Sequence, residues 1–309
     1  MTDQTRPTAT SAPHARSVAM GMMIVSSVAI SFGGLVIRSV QVADVWQISL
    51  YRSLALVAVI ALLLGLRHGR TAPARIRQIG RPGLWAGVML AAAGLTFLQS
   101  ITNTSVANTL FMLSAIPFFT AALAWAILRE PLARATLLTM LAAAGGIAVM
   151  VAGSVTAGSI YGGLMGLATA LFFSGYAIIL RRHRRIEMLP VLIVSGGLII
   201  ALSLVLRWGD LAIPLYDIML CFLLGGVLSG LANTLFITAS KYLVAAELTL
   251  FMLLEFALGP IWVWLVIAET PTRATVLGGM IVILAVTIRA MTELRRARNA
   301  RKTHLQSPQ

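Results

Sequence analysis

Glu130-Pro131-Leu132-Ala133-Arg134-Ala135-Thr136 is echoed 139 residues later by Glu269-Thr270-Pro271-Thr272-Arg273-Ala274-Thr275. Each copy follows a tryptophan-containing apolar run and precedes another apolar run, so the chain reads as two tandem units with the same internal order. Each unit holds five such runs. Five is an odd number of crossings, so the second unit must enter a membrane upside down, with Glu130 inside and Glu269 outside.

Outward from these junctions, the first unit comprises Ser17 to Ile37, Trp46 to Leu66, Pro82 to Ile101, Val106 to Leu128 and Ala135 to Gly153. The second comprises Ile160 to Leu180, Leu189 to Leu206, Tyr216 to Thr238, Ala245 to Ala268 and Ala274 to Ile288. Most of these runs approach the roughly 20 apolar residues that a spanning helix needs. The expected fold is therefore an all-α polytopic membrane protein, ten transmembrane helices in two inverted five-helix repeats. Its divisions are a tail (1–16), the first repeat (17–153), the second repeat (160–290) and a basic tail (291–309). The first run is longer than the 7–15 residues of a signal-peptide core, and is read as a retained span.

Composition agrees: of 309 residues, 59% are hydrophobic and 11% charged, against about 45–50% and about 25% in soluble domains. The net charge of +14 raises the question of nucleic acid or membrane surface, and its placement answers it. With ten spans and a cytoplasmic N-terminus, 20 of the 24 Lys and Arg residues fall on the cytoplasmic side. Only Arg207 and Arg273 fall outside, while Arg38 and Arg52 lie in or at the edge of spans. This asymmetry follows the positive-inside rule and places both termini in the cytoplasm. No loop is long enough for the folded basic domain that nucleic-acid binding would require.

Enzyme chemistry has little material here. His14, His68, His183 and His304 all lie in tails or loops, and neither His-Glu-x-x-His nor Gly-x-Ser-x-Gly occurs. Neither a metal nor a cofactor is expected. The lone Cys221 reads as a small core residue, and no Gly-x-x-x-x-Gly-Lys-Ser/Thr loop occurs, so any energy must come from a gradient or from a solute itself.

Tyr51-Arg52-Ser53-Leu54-Ala55, Ala115-Ile116-Pro117 with Glu130 thirteen residues on, and Leu254-Glu255 followed by Glu269 together resemble the EamA-like branch of the drug/metabolite transporter superfamily. The resemblance covers roughly Ala19 to Arg289. It implies a secondary transporter in the cell membrane moving amino acids, related metabolites or drugs by alternating access. It also implies fifth and tenth helices at the back of each repeat, where a homodimer contact would form. The family's Glu-Pro in the ninth span is here Glu255-Phe256, with the proline displaced to Pro260.

Ionisable groups inside spans are costly to insert and mark function by default. Arg52 lies about 9 Å into the second span and reads as an anchor for a substrate carboxylate, a partner for Glu255, or a structural arginine. Glu255 lies near the middle of the ninth span, on one face with Gly259 and Trp262. At that depth it must be paired, carry a proton or bind a cation. Protons are accordingly the expected coupling ion and a small molecule the expected solute. Polar stripes mark inward faces through Ser27, Ser31, Gly34 and Arg38, through Thr96, Gln99 and Asn103, through Thr169 and Tyr176, and through Ser229, Asn233 and Ser240. Pro117 and Pro260 are the expected hinges. A zwitterion such as an amino acid suits Arg52 with Glu255, whereas an aromatic cavity of Trp262, Tyr176 and Trp125 around one carboxylate would suit an organic-cation exporter.

Overall fold

A computed structural model describes residues 11–129, 134–153, 157–183, 186–239, 242–243 and 245–306. Residues 130–133, which open the first copy of the repeated heptapeptide with Glu130, lie outside the described residues, as does Ser240. The described chain is helical, with no strand among the described residues. Its helices are α1 (Ser11–Ser31), α2 (Gly33–Arg38), α3 (Val45–His68), α4 (Ala72–Gln78), α5 (Gly80–Asn103), α6 (Val106–Leu113) and α7 (Ile116–Leu128). After these come α8 (Arg134–Ala152), α9 (Ala157–Arg182), α10 (Val191–Leu206), α11 (Leu215–Phe222), α12 (Gly230–Ala239), α13 (Ala245–Ile267) and α14 (Arg273–Gln306). A π-helical segment, Leu223–Ser229, joins α11 to α12.

Among the described residues, seven stretches are long and apolar enough to cross a membrane: Ser17–Arg38, Val45–Gln78, Gly80–Asn103, Val106–Leu128, Ile160–Arg182, Leu215–Ala239 and Arg273–Thr292. Three shorter apolar helices, Leu137–Ala152, Val191–Leu206 and Phe251–Ile267, fall on the remaining expected runs. With this many apolar helices the chain is a multi-pass membrane protein.

Four of these described stretches are interrupted: Val45–Gln78 at Gly69, whose left-handed backbone (φ 52°) ends α3, and three others. Pro117 sits in the first turn of α7, where its missing N–H and fixed φ suit a helix start. The chain therefore turns at Ser114 and Ala115, and α6 and α7 are separate helices. The α1–α2 break at Phe32 precedes Gly33 and Gly34. A side chain at Gly34 would press on Val106 of α6, so the glycine permits α2 and α6 to lie close. The last interruption is the π segment. Pro260, by contrast, lies inside an uninterrupted α13.

Among the described residues, the non-glycine positions with left-handed backbone are Arg129 (φ 55°) and Ala268 (φ 58°). Arg129 is the C-terminal cap of α7, and Ala268 directly follows α13. Each immediately precedes a glutamate of the repeated heptapeptide, Glu130 or Glu269. A left-handed residue is how many helices end, so the two helix exits share a backbone device as well as a sequence.

α8 and α14 pack on each other through Gly146 and Gly278, where an added Cβ on either glycine would meet the other's carbonyl. Phe118, Ala143, Val282, Ala285 and Val286 form the core beside them. Their other faces carry exposed Leu138, Leu141 and Leu284. Gly162 and Gly166 press on Thr104 and Met112, and Gly226 and Gly230 on Ala55 and Val59, so both small-residue pairs serve close packing within the chain.

Candidate functional site

At one end of the bundle a polar lattice joins connections that are distant in sequence. Asp217, fully buried in the first turn of α11, accepts hydrogen bonds from the amides of Gln41, Val42 and Ala43 at 2.9–3.0 Å. This fixes the approach to α3, whose N-terminus is closed by a capping box between Asp44 and Gln47. Arg207 forms an ion pair with Asp44 and reaches Asp210 at 3.4 Å, while the Tyr51 hydroxyl donates to the Leu211 carbonyl at 2.9 Å.

Glu269 belongs to the same lattice. Its carboxylate accepts from the Val106 amide at 2.7 Å, capping α6 where an anion is favoured, and pairs with Arg38 at 2.8 Å. Arg38 also donates to the Thr104 carbonyl at 2.6 Å. The loop between α13 and α14 is thereby tied to α2 and to the α5–α6 turn. At the opposite end, Arg67, Arg70, Arg75, Arg77 and Arg81 cluster around α4, and His68 lies 3.3 Å from Glu187.

Between the two ends lies a cavity of about 210 Å³. Arg52 of α3 and Glu255 of α13 both line it. They do not pair with each other, and neither side chain has a hydrogen bond or ion pair among the described residues. Asn233 lines the cavity with its Nδ2 donating to the Ser229 carbonyl at 2.8 Å, leaving Oδ1 as an acceptor. Ser27, Ser195 and Thr169 add hydroxyls, with Thr169 also donating to Thr96 at 2.9 Å. Phe97, Phe173, Phe236 and Phe256 supply aromatic wall.

Leu113 and Ile116, on either side of the α6–α7 break, face this cavity, as does Ser229 at the end of the π segment. Irregular backbone at membrane depth is tolerated where it lines a cavity. A second cavity of about 120 Å³ shares Ile116, Phe173, Phe236, Met252 and Phe256 with the first. It extends to Leu248 near the start of α13 and to Arg289 of α14. Arg289 lies 5.9 Å over the Phe118 ring and donates to the Pro117 carbonyl. The central cavity thus continues away from the polar lattice.

The sequence candidates divide accordingly. Arg52, Glu255 and Asn233 are brought together in the cavity. Ser31 and Trp262 meet beside it: the Trp262 indole donates to Ser31 Oγ at 3.0 Å and stacks on Phe32 at 4.8 Å. Gly259 lets α13 approach, since a Cβ there would overlap Leu110. Tyr176 is buried in a cluster with Ile79, Ala86, Met188 and Val191, outside the cavity lining. Gln99 and Asn103 stand near the end of α5, where the Asn103 amide donates to the Gln99 carbonyl at 2.8 Å, also outside the lining. Trp125 is exposed. Cys221 is a buried free thiol.

The four phenylalanines of the wall escaped the sequence reading because apolar residues in an apolar helix carry no face signal. Asp217 had one, an acid in the first turn of an apolar run. Its role depends on a loop more than 170 residues away, which no local pattern reveals.

Residues 17–152 match the model of the EamA-like transporter family. Residues 17–152 are thus similar to an EamA-like transporter unit. That family is one of transporters. The pseudopaline exporter CntI of Pseudomonas aeruginosa, in strains UCBPP-PA14 and PAO1, is 24% identical over 249 residues, covering 77% of this chain and 84% of the exporter. A solved crystal structure shares the fold with a TM-score of 0.65 at 16% identity, covering 94% of this chain and 99% of the other.

Proposed function

We propose that this chain is a secondary transporter that exports small zwitterions, amino acids or close relatives of them, by alternating access. The observation that carries the reading is the shared cavity: one guanidinium and one carboxylate face the same space, without partners among the described residues. Uncompensated charges at such depth are costly, and a ligand bearing both a carboxylate and an ammonium would satisfy both. The volume of about 210 Å³ lies below the roughly 300–1,000 Å³ of sites for drug-sized ligands, which favours a small metabolite. Export is supported by similarity to an exporter.

In this proposal ten helices span the cell membrane as two inverted repeats, with Glu130 and Glu269 on opposite faces and both termini in the cytoplasm. The distribution of basic residues supports the orientation, and the shared left-handed exits at Arg129 and Ala268 support the repeat. The polar lattice then closes the outer end, and the second cavity leads from the site to the cytoplasm. Pro117 and Pro260 serve as the hinges, the first at an existing helix break. Glu255 carries the coupled proton, with Arg52 as the other charged group facing the cavity.

A second reading, a proton-coupled exporter of organic cations, draws support from the four phenylalanines around Glu255, since aromatic faces attract cations. The two readings separate at Arg52. In proteoliposomes, Arg52→Gln is expected to abolish amino-acid transport under the first reading, and to leave organic-cation transport intact under the second. Glu255→Gln is expected to remove the dependence on a pH gradient under both.

A further inference from the structure

Arg52 is the one charged group of the cavity contributed by α3, yet among the described residues no hydrogen bond or ion pair holds its guanidinium in place. What lies against the residue is the backbone of two glycines, Gly225 at its main chain and Gly94 at its tip. On one side, Gly225 of the π segment lies against the main chain of Arg52, so closely that a Cβ on Gly225 would overlap the Arg52 carbonyl and come within 2.9 Å of its Cα. On the other side, a Cβ on Gly94 of α5 would lie 3.0 Å from Arg52 Nη2. One glycine sets where the residue starts, and the other leaves room for where it ends.

The π segment explains the first contact. The Gly230 amide bonds back to the Gly225 carbonyl, five residues away, a wider turn than the four-residue spacing of an α-helix. Gly226 and Gly230 continue the same seam against Ala55 and Val59, so the segment is a glycine ridge laid along α3. Ser229, at its end, lines the cavity beside Asn233. π segments of this kind often mark functional sites, and here the widened turn touches the residue that carries the positive pole.

We infer that Gly225 and Gly94 are positioning residues that cradle Arg52 between the π segment and α5, aiming its guanidinium at the ligand's carboxylate. The inference rests on the zwitterion reading above and adds to it the groups that place the anion receptor. Neither glycine needs to touch the ligand's amino group. Loss of the cradle should therefore damage carboxylate recognition and spare the amine end.

The test is counterflow in proteoliposomes with two labelled probes: the standard amino acid that the wild type exchanges best, and the amine formed by its decarboxylation. Gly225→Ala and Gly94→Ala are each expected to raise KM for the amino acid about tenfold or more, the scale of one lost charge-assisted hydrogen bond. KM for the amine should change less than about twofold, and kcat for both probes should stay near wild type. Gly230→Ala, whose Cβ would meet Val59 at 3.4 Å and the Gly225 carbonyl at 3.5 Å, both ordinary contacts, serves as the control and should leave both probes unchanged. A parallel loss for both probes, or no change in either, overturns the cradle. Should Gly225→Ala fail to fold, Gly94→Ala decides alone, because its Cβ meets the tip of a flexible side chain. Arg52→Gln, measured alongside, separates the two claims. If it abolishes amino-acid exchange while the glycine variants behave as wild type, the cradle is wrong and the zwitterion site stands; if it changes nothing, the site falls and the cradle with it.

Discussion

At the scale of single residues, the chain keeps few charges within its apolar helices, and each has a distinguishable duty. Asp217 is structural: three backbone amides converge on its carboxylate, and bonds to a charged group contribute about 1.5–3 kcal/mol each. Asp217→Asn is expected to lower the thermal stability of the purified protein without shifting its substrate preference, which a melting curve and a competition assay check together. Trp262→Phe would remove the bond to Ser31 while keeping the stack on Phe32. That change should cost less than about 1 kcal/mol, the usual size of an interhelical hydrogen bond in a membrane, whereas Trp262→Ala should cost clearly more. Arg52 and Glu255 were legible in the sequence because ionisable side chains are conspicuous against apolar helices. Gln99, Asn103 and Tyr176 share their polar character, but stripe position alone does not distinguish a cavity wall from a helix end or a buried cluster.

At the scale of elements, the polar lattice is the counterpart of the cavity. Glu269 caps α6 and pairs with Arg38, so one carboxylate ties the α13–α14 loop to α2 and to the start of α6. Glu269→Gln removes the ion pair and weakens the cap. In a Cys221→Ser background, a cysteine at cavity-lining Phe97 is expected to react several-fold faster with a membrane-impermeant thiol reagent applied from the lattice end. An unchanged rate would show that this end stays shut without the pair. The echoed heptapeptide identified Glu269 from sequence, and its partners emerged only from the fold, because Arg38 and Val106 lie in the first half of the chain, Val106 163 residues away. The break at Pro117 was likewise readable from the proline. The π segment was not, since its glycines read equally well as ordinary small-residue packing.

At the scale of the whole molecule, composition and the spacing of apolar runs were enough to reach an all-helical membrane protein, because both follow from the same need to satisfy backbone groups in lipid. The orientation rests on charge placement. Reporter fusions at both termini are expected to report cytoplasm, and a periplasmic signal at either would reverse every assignment of inner and outer ends. Which small molecule enters the cavity depends on the spacing of two charges and the shape of its walls, which a linear pattern does not encode. Counterflow in proteoliposomes, with a panel of labelled amino acids and organic cations run with and without a pH gradient, tests this account most directly. Exchange of one or more amino acids, lost in Arg52→Gln and made insensitive to the gradient in Glu255→Gln, is the predicted result. Exchange confined to organic cations and indifferent to Arg52 would contradict it.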